Sequence, residues 1–208
     1  MSAQQGANMK SVAALALLAL FFATPVIAST DEFTDPAYAQ VQGPTSTPIG
    51  HYEFCRSHES ECGALSGPSA TTLTEELWAQ LQQTNNAVNA NIAPVTDQDL
   101  YRVAEYWAYP NGAGDCEDYV LEKRRELLAT GWPATTLLMT VVRKKNGEGH
   151  AVLLVRTDRG DLALDNLDGE IHLWNETPYS YLKRQSQTDA SKWVDLDDDR
   201  IIQVASMH

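Results

Sequence analysis

The apolar positions change period once along this chain, and the change separates a helical first half from a strand-rich second half. Thr72-Leu73-Thr74-Glu75 has the form of a helix start, and Leu73, Leu77, Leu81, Val88 and Ile92 then recur at near-helical spacing. Pro94 stops that helix. The spacing predicts a second helix over 97–107, with Leu100, Val103, Ala104 and Trp107 on one face and Pro110-Asn111-Gly112 as the turn after it. A third helix is predicted from about Cys116. Tyr119, Val120, Leu127 and Leu128 make its apolar stripe, and Glu122, Lys123, Arg124 and Glu126 its wet face. Gly131 is placed to cap it, with Pro133 following.

Beyond Pro133, β-branched and apolar runs take over. Strands are predicted over 136–143, 150–157 and 161–165, joined at Asn146-Gly147 and Asp158-Arg159-Gly160. Shorter candidates cover 171–174 and 201–205. Helices first and an antiparallel meander afterwards make an α+β pattern, not an alternating βαβ one.

Two segments precede this domain. Met9-Lys10 opens a short basic region, the next twelve residues are almost wholly apolar, and Val26-Ile27-Ala28 suits a cleavage site. Residues 1–28 are therefore expected to be a secretory signal peptide cut after Ala28, the run being short of the roughly 20 residues of a spanning helix. Residues 29–48, rich in Thr, Pro, Ala and Gln, are expected to form a mobile arm or an extended lead-in. The domain proper is expected at 49–208. The destination would be an exported, periplasmic compartment that permits disulfides.

Charge narrows the partners. With 15 Lys and Arg against 28 Asp and Glu, the net charge is −13. That balance argues against nucleic acid or an anionic membrane surface and permits cation binding. Cys55 and Cys62 read as a disulfide closing a short loop. The alternatives are a zinc site with His58 and His51, whose spacing fits the usual patterns poorly, and two free thiols.

Cys116 is the odd cysteine. It lies in Gly114-Asp115-Cys116-Glu117-Asp118, at the start of a predicted helix. Unpaired N–H groups and the helix dipole favour a thiolate there, and nucleophilic thiols are built this way. Against that stands burial as an inert small residue. His150 opens an apolar strand and is the best-placed base, with His172 as a competitor. Asp165, ending the neighbouring strand, is the candidate orienter of the imidazole, with Asp161 and Asp168 as alternatives. Three carboxylates around a thiol disfavour its ionisation. Asp115, Glu117 and Asp118 would suit Ca2+, which accepts several oxygen ligands and would cancel that repulsion.

These blocks, Asp115-Cys116-Glu117-Asp118-Tyr119, Gly131-Trp132-Pro133, Gly149-His150-Ala151-Val152-Leu153 and Leu164-Asp165-Asn166-Leu167, resemble the bacterial transglutaminase-like cysteine proteinase family. Phe54-Cys55 with Cys62, and the run from Tyr181 to Ser186 with Trp193, fit the same pattern. The resemblance implies a papain-like, transglutaminase-like core with helices on an antiparallel sheet. It implies Cys116 as nucleophile, His150 as base, Asp165 as orienter, and calcium at Asp115, Glu117 and Asp118. LapG-type members are periplasmic proteases that cut a large surface adhesin near its N-terminus and so release biofilm. An inner-membrane cyclic-di-GMP receptor restrains them. The expectation is therefore a calcium-dependent cysteine endopeptidase acting through a thioester, with Tyr106 or Trp107 contributing to the oxyanion site. The alternatives are another amide hydrolase or transglutaminase on this core, and a non-catalytic calcium-binding module.

Overall fold

The computed structural model describes residues 36–198 and Arg200. The elements run, in order, β1 (Gln40–Thr45), α1 (Ile49–Ser57), α2 (Glu75–Asn91), β2 (Ala93–Pro94), α3 (Asp97–Leu100), β3 (Ala113–Gly114), α4 (Cys116–Ala129), β4 (Leu137–Arg143), β5 (Gly149–Thr157), β6 (Gly160–Leu164), β7 (His172–Leu173), β8 (Ser180–Gln185) and β9 (Trp193–Asp197). Seven strands form one antiparallel sheet in the order β1-β9-β8-β4-β5-β6-β7. The expected α+β architecture is what the chain adopts: apart from edge strand β1, the helices precede the strands of the large sheet, and α4 lies against β5.

Local chemistry explains the two long helices. The Thr74 hydroxyl accepts the Leu77 N–H at 3.2 Å, an N-cap that starts α2 where the pattern placed it. Gly131 takes φ 97°, the left-handed turn that ends α4. The Trp132 N–H returns to the Leu127 carbonyl across that turn.

The apolar runs of β4 and β5 are continuous because both faces of the sheet are covered. Leu137, Met139, Leu153 and Val155 join Leu81, Val120 and Leu127 of the helices in one core. Leu138, Val142, Val152 and Leu154 face a second core with Trp174, Tyr181 and Leu196. Each fully buried aliphatic side chain contributes roughly 1.5–3 kcal/mol.

Several expectations are corrected. Residues 40–45 are an extended lead-in and not a mobile arm: they form edge strand β1, paired with β9. The helix expected over 97–107 stops at Leu100. Asp97 caps the chain back on itself by accepting the Tyr106 N–H, and Arg102 sits at φ 63°. The strand expected over 201–205 lies outside the described residues.

Another correction concerns α4, whose expected wet face is partly dry: Lys123 is 0% exposed and Arg124 is 5% exposed. The Lys123 ammonium has no hydrogen-bond partner among the described residues. Burial pushes its pKa down to about 7, with the Asp165 charge opposing. Because the unfolded chain binds the Lys123 proton up to about pH 10.5, the penalty on the fold is full below about pH 7 and fades as pH rises through that window. Lys123→Met is therefore expected to stabilise the fold by about 1–4 kcal/mol. Melting curves at pH 6 and pH 10 check this: the gain must be larger at pH 6, and a loss of stability at pH 6 refutes it.

Candidate active site

The site forms where β6 runs out. Its last paired residue, Leu164, stands opposite Leu153, so β5 continues to Gly149 with β4 alone beside it. His150 and Ala151 lie in that stretch, and Asp165 is the first residue past the end of β6. Cys116 opens α4, and the Ala151 backbone lies near enough to its sulfur to favour the thiolate.

His150 is 5% exposed and its Nε2 lies 2.8 Å from Asp165 Oδ1. A carboxylate can only accept, so Nε2 donates and Nδ1 is left as the basic nitrogen. Asp165 is tightly determined. Its Oδ1 also accepts the Leu167 N–H at 3.0 Å, its Oδ2 accepts the Tyr179 hydroxyl, and its carbonyl accepts Asn89 Nδ2 at 2.8 Å. Burial alone would raise its pKa. The His150 contact, the Leu167 N–H and Tyr179 overcome that and hold the carboxyl below its ordinary value.

The thiol is in a different position. Cys116 Sγ donates to Glu117 Oε2 at 3.0 Å, and no hydrogen bond joins it to His150. Burial pushes the thiol pKa well up, and the Glu117 and Asp115 charges push it further; the Ala151 N–H opposes them. The surrounding acids are strained in the same direction. Burial and the Asp115 charge raise Glu117. Asp118 is pushed up to about 7 and Asp97 up to about 6, in both cases chiefly by burial.

Asp97, Asp115 and Glu117 bring carboxylate oxygens within 4.8 Å of one another. Of the three residues expected to bind metal, Asp115 and Glu117 are in this cluster. Asp118 is not: its Oδ1 accepts the Ala108 N–H at 2.9 Å, and its other oxygen is tucked against Gly114. Asp97 was missed. It lies 18 residues before Asp115 and carries only the signal of a helix-start acid; the Asp115 side chain, which accepts its N–H at 3.2 Å, ties the two together. Asp97 Oδ1, Asp115 Oδ1 and Asp118 Oδ2 are buried without a hydrogen-bond partner among the described residues. Orphaned anionic oxygens with raised pKa values fit a hard divalent cation.

The competing candidates fall elsewhere. His172 pairs with Asp168 at 3.3 Å on the surface, and Asp161 binds Arg156 at 2.6 Å. The backbone N–H of Tyr106 is taken by Asp97 and the indole N–H of Trp107 by Glu105, so those two groups are already engaged. Cys55 and Cys62 are joined as a disulfide. Zinc is disfavoured there for a second reason: Trp193 Nε1 donates to His51 Nδ1 at 3.0 Å, which leaves the proton of neutral His51 on Nε2, the nitrogen facing Cys55.

A helix-borne thiol, a strand-borne imidazole and an antiparallel sheet define the transglutaminase-like fold class. The chain belongs to the bacterial transglutaminase-like cysteine proteinase family, whose profile matches residues 41–201. Among solved structures it is similar to Legionella pneumophila LapG. The EGTA-treated form is 24% identical with a TM-score of 0.50, over 59% of this chain and 69% of that one. The calcium-bound form is 26% identical with a TM-score of 0.47, over 52% of this chain and 64% of that one, just under two thirds of its length. A third LapG structure is 23% identical with a TM-score of 0.48, over 62% and 74%. No curated protein sequence matches significantly.

Proposed function

We propose that this protein is a calcium-dependent cysteine endopeptidase with Cys116 as nucleophile, His150 as base and Asp165 as orienter. One observation carries the reading: His150 is fixed on Asp165 through Nε2, which leaves Nδ1 as its basic nitrogen. The backbone of the next residue, Ala151, favours the Cys116 thiolate, and the imidazole beside it would serve the thiol as base.

In the cleavage step His150 Nδ1 takes the thiol proton and Sγ attacks the peptide carbonyl. The imidazolium then gives its proton to the leaving amine, and a thioester remains on Cys116. Water, activated by the same nitrogen, releases the acyl group. Asp165 stays ionised and keeps the ring in one tautomer throughout. Asp97, Asp115 and Glu117 would hold calcium, with Asp118 beside them, and the ion would neutralise the acidic surroundings of the sulfur. Glu117 then no longer has to be protonated or to accept from the thiol.

The substrate and its control rest on the sequence resemblance. We take the substrate to be a large cell-surface adhesin cut near its N-terminus, and the restraining partner to be an inner-membrane cyclic-di-GMP receptor. The basic and apolar start of the chain supports export to the periplasm. No helix of the described residues is long and apolar enough to cross a membrane.

The test is incubation with an outer-membrane adhesin fraction, with and without calcium. A shortened adhesin is expected only with calcium. Incorporation of an amine into glutamine, without a shortened product, would replace protease with transglutaminase.

A further inference from the structure

Tyr179 has no part in the reading above, yet it touches both partners of the thiol. Its hydroxyl donates to Asp165 Oδ2, the oxygen that His150 does not use. Its ring meets the His150 ring edge to face, with centroids 5.3 Å apart and planes at 60°. It precedes β8, so it arrives from a different part of the chain than either residue it touches. Behind it lies a cavity of about 260 Å3, lined by Asp165 and Tyr179 together with Leu167, Asp168, His172 and Thr177. Asp165 is 4% exposed although it borders that space. Tyr179 and Asp165 thus share one wall of that space.

We propose that Tyr179 is a positioning residue that fixes the second oxygen of Asp165 and braces the His150 ring. The proposal rests on the thiol–imidazole reading above. A tyrosine that merely filled space would have no need to aim its hydroxyl at a carboxylate. Buried tyrosine hydroxyls do seek a partner, but here the partner is the group that sets the tautomer of the proposed base. A carboxylate held by three donors cannot rotate away from Nε2, and one screened from water couples more strongly to the imidazole.

Asp165 beyond β6 and Tyr179 before β8 both touch the His150 ring. The Asp165 charge is also felt by Lys123 of α4 and Tyr181 of β8.

The experiment uses full-length protein in saturating calcium. In the Cys116→Ala background, the His150 Nε2–H resonance is followed by NMR, assigned by its loss in His150→Ala. Tyr179→Phe is expected to shift that resonance and speed its exchange with water, with an unchanged melting midpoint. Superimposable resonances and exchange rates overturn the proposal. With Cys116 intact, Tyr179→Leu is expected to slow alkylation by iodoacetamide about tenfold at pH 7 while retaining native circular dichroism. Alkylation at the parent rate overturns it. His150→Ala separates the two levels. If alkylation does not depend on His150, the thiol–imidazole reading fails and this proposal with it. If it does depend on His150 and the Tyr179 variants behave as the parent, this proposal alone fails.

Discussion

Cys116→Ala and His150→Ala should each abolish peptide cleavage, lowering turnover by at least about 10³-fold, while the protein stays folded. Each substitution removes one half of a single device, so the double variant should be no worse than either alone. The fold should survive for reasons visible at each position. Cys116 is a half-buried first residue of α4, where alanine is a good helix former. Its loss removes the thiol donation to Glu117 and the Ala151 backbone's interaction with the sulfur. His150 is buried, but without it Asp165 Oδ1 still accepts the Leu167 N–H and Oδ2 still accepts Tyr179, so no carboxylate oxygen is orphaned. The check is turnover of an adhesin substrate beside melting curves. Full activity in either variant refutes the assignment, and an unfolded His150→Ala would show that the ring is structural.

The pairing of His150 with Asp165 and the place of Cys116 on the first turn of α4 were legible because each stands in a compact local block whose position on an element could be read. The first turn of a helix and the end of a strand are short-range properties. Asp97 was hidden because its partner is Asp115, and the bond between them depends on how the segment between α3 and α4 folds back. That same fold-back, driven by Asp97 taking the Tyr106 N–H, is why a helix pattern over 97–107 yields one turn. Local periodicity cannot register a carboxylate that outcompetes the next helical hydrogen bond. Strands β1 and β9 escaped for a different reason. Gln40–Thr45 is mostly exposed and carries Gly43 and Pro44, so its pairing with β9 comes from tertiary contact, not from propensity. Lys123 was assigned to the wet face because charged residues are rarely buried unpaired. The helix is covered by α2 on one side and the sheet on another, which no pattern within α4 announces.

Removing calcium should inactivate the enzyme and also reverse the way its stability depends on pH. In the metal-free chain Asp97 and Asp118 have pKa values near 6 and 7, above the 3.8 of the unfolded chain. Between those limits the folded state binds more protons than the unfolded one. The metal-free fold is therefore most stable below about pH 4 with respect to these groups, and loses stability as pH rises toward about 7. Asp118 alone is worth a few kcal/mol across that window, on an order-of-magnitude basis. A divalent cation binds the ionised acids, so its stabilisation is small in acid and largest above about pH 7. At about 100 times its dissociation constant it would contribute about 2.7 kcal/mol, a rise of about 5–10 °C in Tm for a chain of this size. Melting curves from pH 4 to 8, in EGTA and in excess calcium, should diverge as pH increases. Alkylation of Cys116 should slow in EGTA and recover on adding calcium, because the sulfur otherwise faces Glu117 and Asp115 without compensation. Asp97→Asn should weaken the calcium response although the residue lies outside the Asp115-Cys116-Glu117-Asp118 block. Parallel melting curves with and without calcium, together with unchanged activity in EGTA, would remove the ion from the mechanism and leave the three orphaned carboxylate oxygens to be balanced by protons alone.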